Sequence, residues 1–310
     1  MQNLHADNRD SVMVDRQQIQ QRLRDHLHAL TVTIGERSVS RPENLEKTAA
    51  YITSFYRDIG LAVDRQAYSY AQLPVDNVIT EISFRENPQR RFLLGAHYDS
   101  VSGTVGADDN ASAIAVQLEV ARLLSQKADN DAPDLAIKFV SFALEEPPVY
   151  GTRYMGSRVY ARMARSQKEK IDGMICLEMV GYACHQPGCQ NYPFPLMFMD
   201  YPETGNFIGI VSNFKSRGFA KNLVAQFQKN EDLPVVKLTV PFNGWIMPAV
   251  RLSDHASFWD KGYKAVMVTD SAFFRNPYYH TAADTMDKLD FEFMAKVVES
   301  LVIFFLSHQK

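Results

Sequence analysis

A short stretch around residue 100 gathers several side chains that can bind a metal ion. His97 and Asp99 follow directly after the apolar run 91–96, and Asp109 comes twelve positions after the histidine, in the sequence Gly-Ala-Asp-Asp-Asn. The histidine therefore falls where a buried strand should leave the core. An imidazole with carboxylates close by is a ligand set that zinc and similar divalent cations prefer. The pattern predicts a metal site at the end of this strand.

Further candidate ligands follow other predicted strands in the same way. Glu145 and Glu146 come after the apolar run 135–144, Glu178 lies near the end of the next such run, and His280 lies in a loop after the last one. Ligands bind beyond the carboxyl ends of strands in open α/β sheets, so these side chains are expected to lie together. Carboxylates crowded there would raise one another's pKa, and cations resolve that repulsion. Two histidines with three carboxylates suit two zinc-like ions that share one carboxylate.

Taken singly, each of these residues also has an ordinary structural explanation. His97 fits a hydrogen-bonded pocket histidine, and the adjacent pair Glu145 and Glu146 fits a solvated strand exit. The acidic residues before Asn110 fit a turn at a helix N-terminus, where negative charge is favourable. The coincidence of all of them at predicted strand ends favours the metal site.

The elements that must position these residues can be read from hydrophobic periodicity. The spacing predicts helices at 12–30, 43–59, 111–126, 154–164, 215–228, 254–261 and 291–306, and strands at 62–70, 77–84, 91–97, 135–144, 171–179, 235–240 and 264–269. Ser253 is the expected N-cap of the helix at 254–261. Continuous apolar strands that alternate with helices predict a single α/β domain, with a mixed, mostly parallel central sheet flanked by helices on both faces.

Composition and charge exclude several classes of partner. The chain has 310 residues and a formal net charge of -3, which gives no reason to expect binding to nucleic acid or to an anionic membrane. No apolar run approaches the roughly 18 residues of a membrane span. The first ten residues lack the apolar segment of a signal peptide, so we expect a cytoplasmic protein, or a periplasmic or secreted one if a signal has been removed. The sequence does not indicate an oligomeric state.

The three cysteines are too few for a disulfide framework. Cys184 and Cys189 are close enough in sequence for one local bridge, and they are equally compatible with free loop thiols. Cys176 lies in a predicted buried strand.

The motifs together resemble the co-catalytic di-zinc aminopeptidases of peptidase family M28. The resemblance covers about residues 90–310 and predicts a zinc-exopeptidase domain at 46–310. Residues 1–45 match no motif and are expected to form an N-terminal helical extension packed on that domain. The motifs are Gly95-Ala-His-Tyr-Asp-Ser100, Gly106-Ala-Asp-Asp-Asn-Ala-Ser112, Glu145-Glu146, Leu177-Glu-Met-Val-Gly181, Ser253-Asp-His255 and Tyr279-His-Thr-Ala-Ala-Asp-Thr285.

The resemblance assigns five ligands to two Zn²⁺ ions. Asp109 bridges the ions, His97 and Glu178 complete one site, and Glu146 and His280 complete the other. Glu178 is a departure from several members of the family, which have aspartate at this position; the difference bears on the spacing of the ions and on metal preference.

The resemblance also implies roles for residues that do not bind metal. Glu145 is the general base and acid, Asp99 accepts a hydrogen bond from the free nitrogen of His97, and Tyr279 donates to the developing oxyanion. The peptide bond between Asp109 and the next residue is expected to be cis.

The implied function is a metal-dependent exopeptidase that removes residues from peptides with a free N-terminus. The alternatives are a glutaminyl-cyclase-like acyl transferase with a single zinc, a carboxypeptidase that uses Arg153 or Arg275 to hold the substrate carboxylate, and a non-catalytic receptor-type member. The residues expected to form an apolar specificity pocket are Phe242, Trp245, Met247, Phe273 and Phe274, with the loop 181–195 as its roof.

Overall fold

The computed structural model describes residues 15–127 and 133–307. The helices are α1 (Arg16–His28), α2 (Pro42–Asp58), α3 (Ala113–Ser125), α4 (Gly156–Ser166), α5 (Arg217–Phe227), α6 (His255–Asp260) and α7 (Phe291–Leu306). The strands are β1 (Val63–Tyr70), β2 (Leu73–Ser83), β3 (Arg90–His97), β4 (Leu135–Phe142), β5 (Gly173–Glu178), β6 (Ile208–Asn213), β7 (Val235–Val240) and β8 (Ala265–Thr269). Short π and 3-10 turns connect several of them, and the π turn Ala29–Ile34 continues α1.

All eight strands form one mixed sheet in the order β1-β2-β4-β3-β5-β8-β6-β7. The central strands β4, β3, β5 and β8 run parallel, whereas β1, β2 and β4 pair antiparallel at one end and β6 pairs antiparallel with β8 near the other. The β1–β2 hairpin turns at Ala71 and Gln72, which both have positive φ, as a tight hairpin turn requires. The predicted α/β class with a mixed sheet is confirmed.

Helices cover both faces of the sheet and enclose two apolar cores. Helices α1, α2, α3, α5 and α7 lie over one face and share one large core. Helices α4 and α6 lie over the other face, where Phe258 and Trp259 pack against β-strand residues such as Met174. Because the strands between the two layers are buried on both faces, they have the continuous apolar sequences noted above.

Helix α1 is joined to the larger core by an apolar stripe. Ile19, Leu23 and Leu27 have no exposed surface and pack in the same core as α3 and α7. At the start of the helix, Arg16 forms ion pairs with Glu299 (2.7 Å) and with a second glutamate of α7. The division of the chain at residue 45 into an extension and a peptidase domain stays a prediction.

The cysteines divide into one pair and one buried thiol. Cys184 and Cys189 are joined in a disulfide, and Cys176 is free and buried in β5. Among the described residues, no helix combines the length and the hydropathy needed to cross a membrane.

Candidate active site

The predicted ligands converge because parallel strands end at the same edge of the sheet. His97 is the last residue of β3 and Glu178 is the last residue of β5. Glu146 lies in the loop after β4, and His280 lies in the loop after β8. Asp109 lies in the turn that leads into α3, and its peptide bond to the next residue is cis, as predicted.

The carboxylate of Asp109 lies between the two histidines. Nε2 of His97 is 3.4 Å from Oδ1 of Asp109 and 3.4 Å from Oε2 of Glu178. Nε2 of His280 is 3.1 Å from the other oxygen of Asp109, Oδ2, and 3.4 Å from Oε2 of Glu146. The site therefore contains two groups of donor atoms, each with one histidine and one glutamate, which share Asp109.

These donor atoms suit zinc in both chemistry and spacing. Nε2 of His97, Nε2 of His280 and Oε1 of Glu146 are buried and have no aligned hydrogen-bond partner among the described residues. Ligand atoms about 2.0–2.1 Å from a tetrahedral zinc ion lie about 3.3 Å from one another. The separations of 3.1–3.4 Å match that spacing. The two groups of donors can therefore each hold a divalent cation.

Glu145 lies beside the donor atoms, and Asp99 holds the backbone there. Oε2 of Glu145 is 4.0 Å from Nε2 of His97. The backbone N–H groups of Glu145 and Glu146 donate to Oδ1 (2.9 Å) and Oδ2 (3.0 Å) of Asp99. Oδ1 of Asp99 is also 3.3 Å from Nδ1 of His97, although the two groups are not aligned for a hydrogen bond. One carboxylate thus ties the loop after β3 to the loop after β4.

Two further buried side chains also form hydrogen bonds with the backbone of segments that carry predicted metal ligands. Asp284 accepts hydrogen bonds from the backbone N–H groups of Asp108 (2.9 Å) and Asp109 (3.1 Å). The side-chain nitrogen of Asn110 donates to the backbone carbonyl of Leu177. The side-chain oxygen of Asn110 accepts from the backbone N–H of Met179, the residue after Glu178. Both residues lie within the sequence motifs, but nothing in the sequence indicated these roles because their partners are backbone atoms of distant segments.

Ser253 contacts a predicted ligand instead of capping a helix. Its hydroxyl donates to Oε2 of Glu178 at 2.6 Å and lies 3.1 Å from the thiol of Cys176. Helix α6 begins at His255, with Asp254 as its N-cap and no side-chain cap. The predicted capping role of Ser253 is wrong, because the buried carboxylate attracts its hydroxyl towards the site.

The pKa values follow from burial and from the crowding of charge. Burial would lower the pKa of His280, but the carboxylates of Asp109 and Glu146, which lie 3.1 and 3.4 Å from its Nε2, raise it to about 10. Burial would likewise lower the pKa of His97, but Glu178 and the other carboxylates raise it well above its ordinary value. Burial and the charge of Asp109 raise the pKa of Glu146 to about 8. Without a cation, protons on these groups offset the charge of the cluster.

The pKa values of the other two carboxyl groups shift in opposite directions. Burial raises the pKa of Glu145 well above its ordinary value, and the charges of Glu146 and Glu178 add to the effect. Burial would raise the pKa of Asp109, but the two histidines that face its oxygens outweigh burial and lower it. Asp109 is thus a carboxylate under all ordinary conditions, whereas Glu145 holds a proton readily.

An apolar cavity opens beside Glu178 and Tyr279 and extends across β8, β6 and β7. Its walls include Phe207, Val211, Leu238, Val250, Met267, Phe273 and Phe274. Part of the predicted roof is present, since Asn191 and the two residues after it line the cavity.

Not all of the predicted pocket residues line this cavity. Phe242 and Trp245 are 75% and 65% exposed and do not contribute to its walls, and Met247 packs against the smaller core. Trp245 is held instead by the guanidinium of Arg251, which lies 3.9 Å from the centre of its ring.

Tyr279 lies between the cavity and the donor atoms. It lines the cavity, and its ring stacks on the imidazole of His280 with a centroid distance of 3.7 Å. Burial and the charge of Asp109 raise the pKa of Tyr279, so its hydroxyl keeps its proton at neutral pH and can donate a hydrogen bond.

The sequence and the fold are those of a known peptidase family. The model of peptidase family M28 matches residues 77–304, and the chain belongs to this family. The chain is 37% identical over 281 residues to the uncharacterized protein YfbL of Escherichia coli. That alignment covers 88% of this chain and 83% of YfbL. It is 25% identical to a probable leucine aminopeptidase 1 of Trichophyton verrucosum, over 90% of this chain and 76% of that protein.

Solved structures share the fold at lower sequence identity. The LapA aminopeptidase of Legionella pneumophila superposes with a TM-score of 0.71 at 18% identity, over 95% of this chain and 73% of that one. A zinc aminopeptidase of Bacillus subtilis has a TM-score of 0.69 at 14% identity (92% and 93% covered). A glutaminyl cyclase of Porphyromonas gingivalis has a TM-score of 0.66 at 19% identity (94% and 97% covered). The family predicted from the motifs is confirmed.

Proposed function

We propose that this protein is a zinc aminopeptidase that removes N-terminal residues with apolar side chains from peptides. The observation that carries the proposal is the position of Asp109, whose two oxygens face the two histidines at 3.4 and 3.1 Å. A site for one ion needs no such shared carboxylate. The names of the relatives, an aminopeptidase and a zinc aminopeptidase among them, support the same function.

In this proposal, the chain holds two zinc ions with five side chains. His97 and Glu178 bind one ion, Glu146 and His280 bind the other, and Asp109 binds both. Zinc supplies Lewis acidity, which polarises a carbonyl group and makes hydroxide available near neutral pH. The remaining work falls to residues of the chain that do not bind metal.

Glu145 is suited to move a proton between the attacking water and the leaving amine. Its side chain is 6% exposed and its raised pKa lets it accept a proton and later return it. The hydrogen bond between its backbone N–H and Asp99 holds it next to His97. The hydroxyl of Tyr279, which keeps its proton, can donate to the oxygen that becomes negatively charged.

The charges around the cavity favour a substrate amine over a substrate carboxylate. Among the described residues that line the cavity there is no Lys or Arg, and Glu178 is at its mouth. Arg275 is 4% exposed, donates to Gln190 and packs over the ring of Phe207. Arg153 is exposed and lies over the ring of Tyr154. Neither arginine lines the cavity, which supports the aminopeptidase over the carboxypeptidase.

The proposal is tested with a panel of chromogenic aminoacyl substrates and a metal analysis of the purified protein. We expect two zinc ions per chain, hydrolysis of leucyl, methionyl and phenylalanyl substrates, and loss of that activity after chelation with recovery on adding zinc. Peptides with a blocked N-terminus are the matched negative substrates.

Two other outcomes would replace the proposal. One zinc ion per chain together with cyclisation of an N-terminal glutamine peptide would make the protein a glutaminyl cyclase. Release of C-terminal residues from N-terminally blocked peptides would make it a carboxypeptidase.

A further inference from the structure

Arg37 is a fully buried arginine that precedes the segment matched by the family model. Its side chain has no exposed surface, and residues 77–304 are those that the family pattern covers. A buried guanidinium is costly unless all its donors are satisfied. Its surroundings therefore indicate what it holds in place.

The donors of Arg37 are directed at the backbone of the loop between His97 and Asp109. Nε donates to the carbonyl of Tyr98 (2.8 Å), Nη1 to that of Val105 (2.6 Å) and Nη2 to that of Gly106 (3.0 Å). Nη1 also donates to the carbonyls of Leu30, near the start of the π turn that follows α1, and of Gly35, just after its end. The planar fork of donors is what allows one side chain to hold several carbonyls in fixed directions.

Backbone contacts reinforce this arrangement. The N–H of Arg37 donates to Oγ of Ser100 (3.0 Å), and that hydroxyl donates to the carbonyl of Thr104 (3.0 Å). Gly106 has a φ of 52°, and a Cβ atom there would lie 2.1 Å from the carbonyl oxygen of Asp109. The carbonyl that Arg37 holds at Gly106 is thus in a segment packed directly against the shared ligand.

We propose that Arg37 is a positioning residue for the zinc site. It fixes the loop that joins His97 to Asp109, so that the imidazole and the shared carboxylate stand at the spacing both ions need. The inference rests on the proposed zinc-binding function. It assigns to the N-terminal segment a part of the active site that the family pattern does not contain.

The charge of Arg37 acts on the same groups. Burial lowers its pKa to about 10, which leaves the guanidinium protonated at neutral pH, and the nearby Asp99, Asp284 and Asp109 favour the charged form. Loss of the charge alone would strengthen the attraction between the carboxylates and a cation. Loss of positioning would weaken zinc binding, so the two effects of the residue have opposite signs.

The test is the zinc dissociation constant of folded Arg37→Lys and Arg37→Met proteins, measured by competition with a chromophoric chelator. We expect a 10- to 100-fold weaker zinc affinity in both, which is the usual effect of removing a group that orients a ligand. Arg37→Lys keeps the charge but cannot reproduce the fork, so it should not rescue affinity. In assays at saturating zinc, kcat should fall while KM for a leucyl substrate stays unchanged.

The matched control is Leu27→Ala, which weakens the packing of α1 without removing any contact to the loop. It should lower the melting temperature and leave the zinc affinity of the folded protein unchanged. If the Arg37 variants do not fold, Ser100→Ala, which removes the hydrogen bond from the Arg37 N–H to this loop, decides the question, with an expected 10- to 100-fold loss of zinc affinity.

Each remaining outcome contradicts a specific statement. Wild-type affinity in the folded Arg37 variants, or in Ser100→Ala where those variants do not fold, overturns the positioning role. Tighter zinc binding in Arg37→Met with no change in Arg37→Lys overturns it too, because it would reveal a purely electrostatic effect. A wild-type protein that binds no zinc overturns the proposed function itself.

Discussion

At the scale of single residues, the adjacent glutamates after β4 have the same chemistry but different positions. Glu146 lies 3.4 Å from Nε2 of His280, within the group of donors around Asp109. Glu145 lies 4.0 Å from Nε2 of His97 and has a strongly raised pKa. The pKa of Glu146 is raised too, so position and not pKa separates the pair: in the proposed mechanism Glu145 is the general base and Glu146 is the ligand.

This difference in position predicts that substitution of one glutamate lowers kcat and that substitution of its neighbour lowers the zinc content. Glu145→Gln should keep both zinc ions and lose about 10²–10⁴-fold in kcat, the range for removal of a general base. Glu146→Gln should bind less zinc, because an amide is a poorer ligand than a carboxylate. Metal analysis and steady-state kinetics on the same preparations check both. Loss of zinc in Glu145→Gln would mean that Glu145 is a ligand, and full activity would remove it from the mechanism.

The proposed metal ligands were easier to predict than the residues that hold them in place. His97, Asp109 and Glu178 stand out in sequence because ligand-type side chains follow apolar strands. Arg37 and Asp284 act on backbone atoms of distant segments, so their roles depend on the tertiary structure. A sequence pattern identifies donor types, but it contains no information on which carbonyl or N–H group each buried charge will meet.

At the scale of secondary structure, periodicity predicted seven of the eight described strands and missed β6, although all six of its residues are buried. The ends of β7 and α7 agree with the prediction, and most other ends differ by one to four residues. Strand β6 (Ile208–Asn213) was missed because its apolar part is short, contains a glycine and ends in Ser212 and Asn213. Its omission hid the strand that contributes Gly209, Ile210 and Val211 to the cavity.

The face of the sheet at β6 is where side-chain specificity should be set. Val211 lines the cavity and is 7% exposed. Val211→Phe should fill part of the space and lower kcat/KM about 10- to 200-fold for leucyl and phenylalanyl substrates, the usual effect of one steric change in an apolar pocket. An alanyl substrate, which does not reach the cavity, is the control and should be unaffected. Equal losses for all substrates would show that the cavity does not select the side chain.

At the scale of the whole molecule, the site joins parts of the chain that are far apart in sequence. Its side chains come from the ends of β3 and β5, from the loops after β4 and β8 and from the turn before α3, and Arg37 adds the segment between α1 and α2. If the proposed function is right, zinc binds the folded chain in preference to the unfolded one, so the ions should stabilise all of these parts together. The size of that stabilisation depends on how many protons the site must release.

The pKa shifts predict that zinc stabilises the protein more at higher pH. In the zinc-free protein the pKa of His280 is raised to about 10 and that of Glu146 to about 8. For both groups the pKa in the folded state exceeds the pKa in the unfolded state. Protonation of the two groups therefore stabilises the folded protein fully below the unfolded-state pKa, and this stabilisation is lost as pH rises through the folded-state pKa. Zinc must displace the same protons, so its affinity should rise by about tenfold per pH unit for each proton released.

Thermal unfolding with and without zinc at pH 6, 7 and 8 measures this effect. The difference between the two melting temperatures should widen with pH, because the zinc-free protein loses stability while zinc binding gains affinity. A hundredfold excess of free zinc over its dissociation constant contributes about 2.7 kcal/mol, or about 5 °C for a chain of this size. Asp109→Ala removes the shared ligand and should abolish the difference at every pH. A difference in melting temperature that stays constant or narrows as pH rises would contradict the assignment of protonated His280 and Glu146 in the zinc-free site.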